Sequence, residues 1–321
     1  MKALITGGAG FIGSHLSEYL LARGHDVAII DDLSSGRLEN VQPLVPNPRF
    51  HYAIDTITNE VVMDRLASEC DIIYHLAAAV GVEMIVRSPV HTIETNITGS
   101  ASVFRVANRY RRKVVLTSTS EIYGKSEKVP FGEEDDRVLG PTTRSRWSYS
   151  DSKAVDEFLA LAYHKERDLP VVIVRLFNTI GPRQTGRYGM VVPRFVAQAL
   201  SGEALTVYGD GTQSRCFADV HDIVRGMVAL AECPAAEGQV FNLGSTREIS
   251  IGDLARLVIS ILGSRSRIAY APYEEAYEVG FEDMQRRVPD VSKVRRLIGW
   301  EATTALEETI RAVAQQPAAQ P

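Results

Sequence analysis

The chain has 321 residues, of which 45% are hydrophobic and 23% charged, and its formal net charge is -5. That length supports a sizeable core arranged in two lobes, and the composition excludes a disordered or fibrous chain. The mild negative charge gives no electrostatic reason for nucleic-acid or membrane-surface binding, so any phosphate has to be held locally.

The chain opens on a strand pattern, KALIT (2–6), and not on a charged-then-apolar leader. FIGSHLSEYLLARG (11–24) has helical spacing, with Gly24 placed as a C-terminal cap. DVAIID (26–31) is the second strand, and DIIYHLA (71–77) and KVVLTST (113–119) are two more apolar strands. Between the last two lies a helix, TIETNITGSASVFRVANRYR (92–111). Another helix, SYSDSKAVDEFLALAYHKE (148–166), leads into the strand PVVIVRLFN (170–178). Apolar strands alternating with helices predict an α/β chain of Rossmann type, a doubly wound parallel sheet with helices on both faces.

After residue 178 the texture changes, with NTIGPRQTGRYGM (178–190) rich in glycine, arginine and polar residues. A helix (PRFVAQALSG), a short strand (LTVYGDG) and an arginine-bearing segment (QSRCFADV) follow, then a helix (DIVRGMVALAE) and a strand, QVFNLG (239–244). Residues 1–178 with 217–244 are expected to form the dinucleotide-binding domain. Residues 179–216 with 245–315 are expected to form a smaller C-terminal α/β substrate lobe, and 316–321 a flexible tail. No apolar run approaches the ~18 residues of a membrane span. Cysteines 70, 216 and 233 are odd in number and lack metal-ligand spacing, so a reduced, cytoplasmic protein without a metal site is expected.

Gly7, Gly10 and Gly13 follow a GxxGxxG spacing between the first strand and the first helix. Glycine there permits a tight turn and close approach of backbone to a pyrophosphate, which the helix N-terminus then holds. Asp31 ends the next strand, about 20 residues on, where a carboxylate can accept hydrogen bonds from a ribose. An acid at this place favours NAD, since a 2′-phosphate would be repelled.

Tyr149 and Lys153 lie four apart in a helical segment and share a face. A tyrosine, with a reference pKa of about 10, is a poor base at neutral pH. A neighbouring ammonium and a positive nicotinamide both favour the phenolate. Thr119, at a strand end, can donate to the same substrate oxygen, so that Tyr149 removes a hydroxyl proton as hydride leaves for NAD.

These residues, with GGAGFIG (7–13), HLAA (75–78), TSTSEIYG (117–124), YSDSK (149–153), RLFNTIGPR (175–183), GDGTQSRCFADVHD (209–222) and RRVPDVSKVRRLIGW (286–300), give a chain that resembles the extended short-chain dehydrogenase/reductases. Within them it is similar to the NAD-dependent nucleotide-sugar epimerases, dehydratases and decarboxylases, over nearly its whole length. The resemblance implies retained NAD, a UDP-, GDP- or dTDP-sugar, and transient oxidation at sugar C4. It implies cofactor contacts from Gly7, Gly10, Phe11, Ile12, Gly13, Asp31, Asp32, Asp55, Thr56, Leu76, Ala77, Ala78, Tyr149 and Lys153. Substrate contacts are implied for Ser120, Glu121, Asn178, Arg187, Val192, Val207, Tyr208, Arg215 and Arg287, with Arg215 on the diphosphate and Val207 and Tyr208 along the base.

Three motifs resemble UDP-glucuronate decarboxylases most. Glu121 stands where 4-epimerases of the galactose type usually carry a small residue, and 4,6-dehydratases also carry the acid. Arg146-Trp147-Ser148-Tyr149-Ser150 resembles RW-x-Y-S of a bacterial lipid A aminoarabinose-route decarboxylase and of plant apiose/xylose synthases. YEVGFEDMQRRVP (277–289) resembles the same bacterial enzyme and makes Arg287 the match of an arginine at its substrate. Uronate 4-epimerases often show GPRQRP; here Thr185 replaces the second arginine, although Arg187 could substitute. Thr119, Tyr149, Lys153, Glu121 and Arg287 are thus the expected catalytic set, with UDP-glucuronate the expected substrate. An internal salt bridge between Glu121 and Arg287, or a phosphate contact, is the competing account.

The alternatives are a UDP-sugar 4-epimerase, a 4,6-dehydratase, and a redox-sensing regulator that keeps NAD without catalysis. His75, on one strand with Asp71, is expected to pack and not to catalyse. The runs Glu133-Glu134-Asp135-Asp136 and Arg111-Arg112-Lys113 are expected to be solvated. Helices 92–111 and 148–166 carry more apolar residues than one sheet face needs, which with the resemblance implies a homodimer.

Overall fold

The structure is a computed structural model that describes residues 1–81, 88–186, 190–272 and 284–315. Seven strands form one sheet in the order Gln239–Leu243, Val171–Leu176, Lys113–Thr119, Ile72–His75, Lys2–Thr6, Asp26–Asp31, Phe50–Ile54. Every neighbouring pair is parallel. The interior strands are apolar on both sides because both faces are covered. Helices Phe11–Ala22 and Val220–Glu232 place Leu16, Leu20, Ile223 and Met227 on one face. Helices Glu60–Glu69, Pro89–Tyr110 and Arg146–Arg167 place Met63, Val103, Phe104 and Ala160 on the other.

From Lys2–Thr6 the chain adds two strands on one side, then crosses to add Ile72–His75 on the other. The carboxyl ends of Lys2–Thr6 and Ile72–His75 therefore flank the crevice at the point where the strand order reverses, the place where such sheets bind ligands.

The strand at 71–77 is shorter than its apolar run suggests and ends at His75, because Leu76 and Ala77 turn their N–H groups onto Thr6 Oγ1 at 3.2 and 3.1 Å. The two long helices start earlier than expected, at Pro89 and Arg146; proline suits a first helical turn, where its missing N–H costs nothing. Phe50–Ile54 and Glu60–Glu69 were not legible as elements. The strand lies at the sheet edge with His51, Tyr52 and Ile54 exposed, so it lacks an apolar run.

The second lobe packs helices Val191–Ser201, Ile251–Leu262 and Leu306–Ala314 around Phe195, Leu254 and Ile310. Its strands Leu205–Tyr208 and Ile268–Ala271 pair in parallel. Ser214–Cys216 pairs with Glu248–Ser250 on one side and Arg286–Arg287 on the other. Val294 and Trp300, inside the 245–315 stretch read as second lobe, instead pack into the core of the large sheet.

The two charge runs are held, not simply solvated. Glu133 accepts from Asn242 N–H at 2.9 Å and Asp135 from Gly132 N–H at 2.8 Å. Arg112 donates to the carbonyls of Ala67 and Ser68, and Lys113 to that of Ala231. Residues 273–283, including Tyr277 and most of YEVGFEDMQRRVP, lie outside the described residues, as do Arg187 and the tail 316–321.

Candidate active site

A cleft of about 940 Å³ runs between the two lobes along the carboxyl ends of the strands. Its dinucleotide end is made of backbone. Gly7 has φ +69°, and a Cβ on it would sit 2.9 Å from Ala77 N. A Cβ on Gly13 would sit 2.3 Å from Gly7 O, so the loop and the first helical turn pack too closely for any side chain. No acidic residue enters the first turn of the helix that follows, and its positive end faces the cleft with Phe11 and Ile12. Asp31 accepts from Ala9 N–H at 2.9 Å and Leu33 N–H at 2.8 Å. Burial pushes its proton affinity up, against those donors. Each oxygen still has a lone pair to offer a ribose. Asp32, Asp55 and Thr56 line this end, and Leu76, Ala77 and Ala78 the strand end opposite. His75, as expected, is a packed neutral residue between Thr6 Oγ1 (2.8 Å) and Ser100 Oγ (3.0 Å), its pKa lowered to about 3 by burial and then by the Lys153 charge.

In the middle of the cleft stand Thr119, Tyr149 and Lys153. Thr119 ends its strand and hydrogen-bonds the Tyr149 phenol. Burial and then the Glu121 charge hold that phenol well above its ordinary value, while the Thr119 bond works the other way. Lys153 Nζ is bonded to Asp156 Oδ2 at 2.7 Å, and its charge is largely met there.

The sugar end is made of side-chain charge. Glu121, 17% exposed, is held by Arg287 at 2.6 Å and Arg146 at 3.2 Å. Burial alone would raise its pKa, but Arg146 and Arg287, with Arg215 behind, bring it down to about 2. Arg215 and Arg287 are neighbours because their strands pair in register. Two like charges side by side on a sheet repel, and Glu121 offsets them. Asn178 Nδ2 is tied to Cys216 O at 2.9 Å, and its Oδ1 lies 3.5 Å from Arg287. Ser120, Val192 and Tyr208 also line the cleft, with Arg194 stacked 4.6 Å over the Tyr208 ring.

Val207 does not line it. Strand alternation turns the side chains of Leu205 and Val207 into the second-lobe core and leaves that of Tyr208 at the cleft. Arg146 was missed as a site residue although its motif had been singled out; three positions before Tyr149 on a helix, it had to share that face.

The sequence model of the family described as GDP-mannose 4,6 dehydratase matches residues 4–313. A UDP-N-acetyl-alpha-D-glucosaminuronate decarboxylase of Bacillus cytotoxicus is 40% identical, over 97% of this chain and 97% of its own. UDP-glucuronic acid decarboxylase 1 of Danio rerio is 38% identical over 98% of this chain and 72% of its own. The structure of UDP-glucuronic acid 4-epimerase from Bacillus cereus, with UDP-glucuronic acid and NAD, superposes with a TM-score of 0.88 at 29% identity, covering 98% of both chains.

Proposed function

The chain belongs to the GDP-mannose 4,6 dehydratase family, and from that premise we propose that it is an NAD-dependent decarboxylase of a UDP-uronic acid, UDP-glucuronate first. The observation that carries this reading is the buried cluster of Arg146, Arg215 and Arg287 around the single carboxylate of Glu121, beside Tyr149. Guanidinium groups gathered at this place suit bidentate contact with a diphosphate and with the carboxylate of a uronic acid. The glycine cradle and Asp31 fit NAD, which supplies a hydride acceptor at sugar C4.

Tyr149 takes the C4 hydroxyl proton, Thr119 orients that oxygen, and Lys153 supports the phenolate. Oxidation at C4 makes a β-keto acid. The C5–C6 bond then breaks, CO2 leaves, and the electron pair passes into the C4 carbonyl as an enolate. A proton returns to C5, with Arg287 stabilising or protonating the enolate and Glu121 positioning the sugar or relaying that proton. Arg215 is assigned to the diphosphate, Asn178 to the sugar diphosphate, and Tyr208 to the base. The large-sheet lobe holds NAD and the smaller lobe the nucleotide.

A 2-acetamido UDP-uronic acid is the second substrate to consider, because the Bacillus cytotoxicus relative is named for one. A homodimer belongs to the proposal, supported by the exposed Val90, Val155 and Phe158 on helices Pro89–Tyr110 and Arg146–Arg167. So does a cytoplasmic location, supported by three free cysteines. Incubation with a panel of UDP-, GDP- and dTDP-sugars, read by mass spectrometry, tests the reading. Loss of CO2 from a UDP-uronic acid is expected; loss of water, or no mass change with any of them, would replace it with the dehydratase or epimerase.

A further inference from the structure

Lys153 and Asp156 lie three apart on the helix that carries Tyr149 and share a face, Lys153 lining the cleft and Asp156 buried beside it. Their side chains are joined at 2.7 Å, with residue exposures of only 2% and 0%. The next residue, Glu157, has an ordinary structural duty: it takes two bonds from Arg175, at 3.0 and 2.8 Å, and ties the helix to strand Val171–Leu176. Asp156 is paired instead with the reactive lysine itself. A buried carboxylate is costly to desolvate, and apolar filling would serve packing as well or better. The charge is therefore kept for its partner.

We propose that Asp156 is a positioning residue that pins the Lys153 ammonium and moderates its pull on the Tyr149 proton. An ammonium has three donors. One is spent on Asp156, which fixes the direction of the other two toward Tyr149 and the ribose of the dinucleotide. Behind the pair, Ser100 and the neutral His75 close the space into which the lysine could swing.

The groups acting on Tyr149 are Asp156 on its own helix, Thr119 and Glu121 at the strand end, and Arg287 from the second lobe, with Lys153 one helical turn on. Facing Asp156 are Lys153, Glu157 and the Ser100 hydroxyl. Asp156 and Glu121 keep the proton on the phenol; the Thr119 hydrogen bond and Arg287 loosen it. A phenol so held gives up its proton less readily, and its phenolate, once formed, is the stronger base.

This inference rests on the roles assigned above to Tyr149 and Lys153, and its test separates the two. Tyrosines labelled at the ζ carbon are followed by NMR against pH, with Tyr149→Phe to assign the signal. Asp156→Asn keeps the shape and a hydrogen-bond acceptor, and Asp156→Leu fills the space without charge should the first variant fold poorly. Tyr149 is expected to titrate roughly one pH unit lower in the variants. The acid limb of kcat on a UDP-uronic acid should move the same way, with KM changed less than about twofold. An unchanged Tyr149 titration in variants that bind NAD and unfold cooperatively overturns the proposal. If wild type turns over no UDP-uronic acid, the functional reading fails while the NMR titration still decides this one.

Discussion

The two ends of the cleft are built by different means. At the dinucleotide end the work is done by backbone: a turn too tight for side chains at Gly7 and Gly13, a helix N-terminus, and one carboxylate at Asp31. At the sugar end it is done by side chains: Arg146, Arg215 and Arg287 gathered on Glu121. The backbone site comes from one contiguous stretch and depends on space. The side-chain site is assembled from four separated segments and depends on how their charges meet, so a single substitution disturbs the others.

The largest effect is expected between the two ends. Tyr149→Phe removes one hydroxyl and no packing, and should lower kcat by about a thousandfold while nucleotide-sugar affinity, measured by calorimetry, is retained. At the dinucleotide end, Gly13→Ala has no room for its methyl group and should weaken NAD binding by at least about tenfold. Gly10→Ala, whose Cβ would lie 3.1 Å from Gly7 O, should weaken it less. Equal losses in calorimetry would mean that space is not what sets the dinucleotide end apart.

At the sugar end, Glu121→Gln leaves guanidinium groups facing each other in a buried site, and should cost about 3 kcal/mol of stability in denaturant unfolding. Arg287→Met should cost less, because Arg146 still meets Glu121. The Glu121 contribution should also depend on pH with a definite sign. Its pKa falls on folding from 4.5 to about 2, so its share of stability is present above the unfolded value and is lost as pH falls through that window. The stability gap between wild type and Glu121→Gln should narrow over the same range. The smallest effect on chemistry is expected from Phe158→Asp, at a residue 68% exposed, which should convert dimer to monomer in light scattering.

This contrast also explains what was legible in the sequence. Strands 2–6, 26–31 and 113–119 were read to the residue, and the glycines and Asp31 picked out by spacing all line one cleft, because period and spacing are local. Glu121 and Arg287 were both singled out, and the structure brings them to 2.6 Å; the ion pair weighed as the competing account is there, inside the cleft. Arg146 and Asp156 were available by helical arithmetic from Tyr149 and Lys153 but were not drawn. Val207 was misplaced because a resemblance names a segment, whereas strand alternation decides which side chain faces the ligand. The register that sets Arg215 beside Arg287 joins residues distant in the chain, and no local pattern announces it.

The account turns on whether the charge at the sugar end serves loss of a carboxylate. UDP-glucuronate labelled at C6, incubated with the enzyme and followed by carbon NMR, asks this directly. The account predicts that the label leaves the sugar and appears as CO2 and bicarbonate. Label retained on the sugar, with signals of UDP-galacturonate growing beside those of UDP-glucuronate, would contradict it.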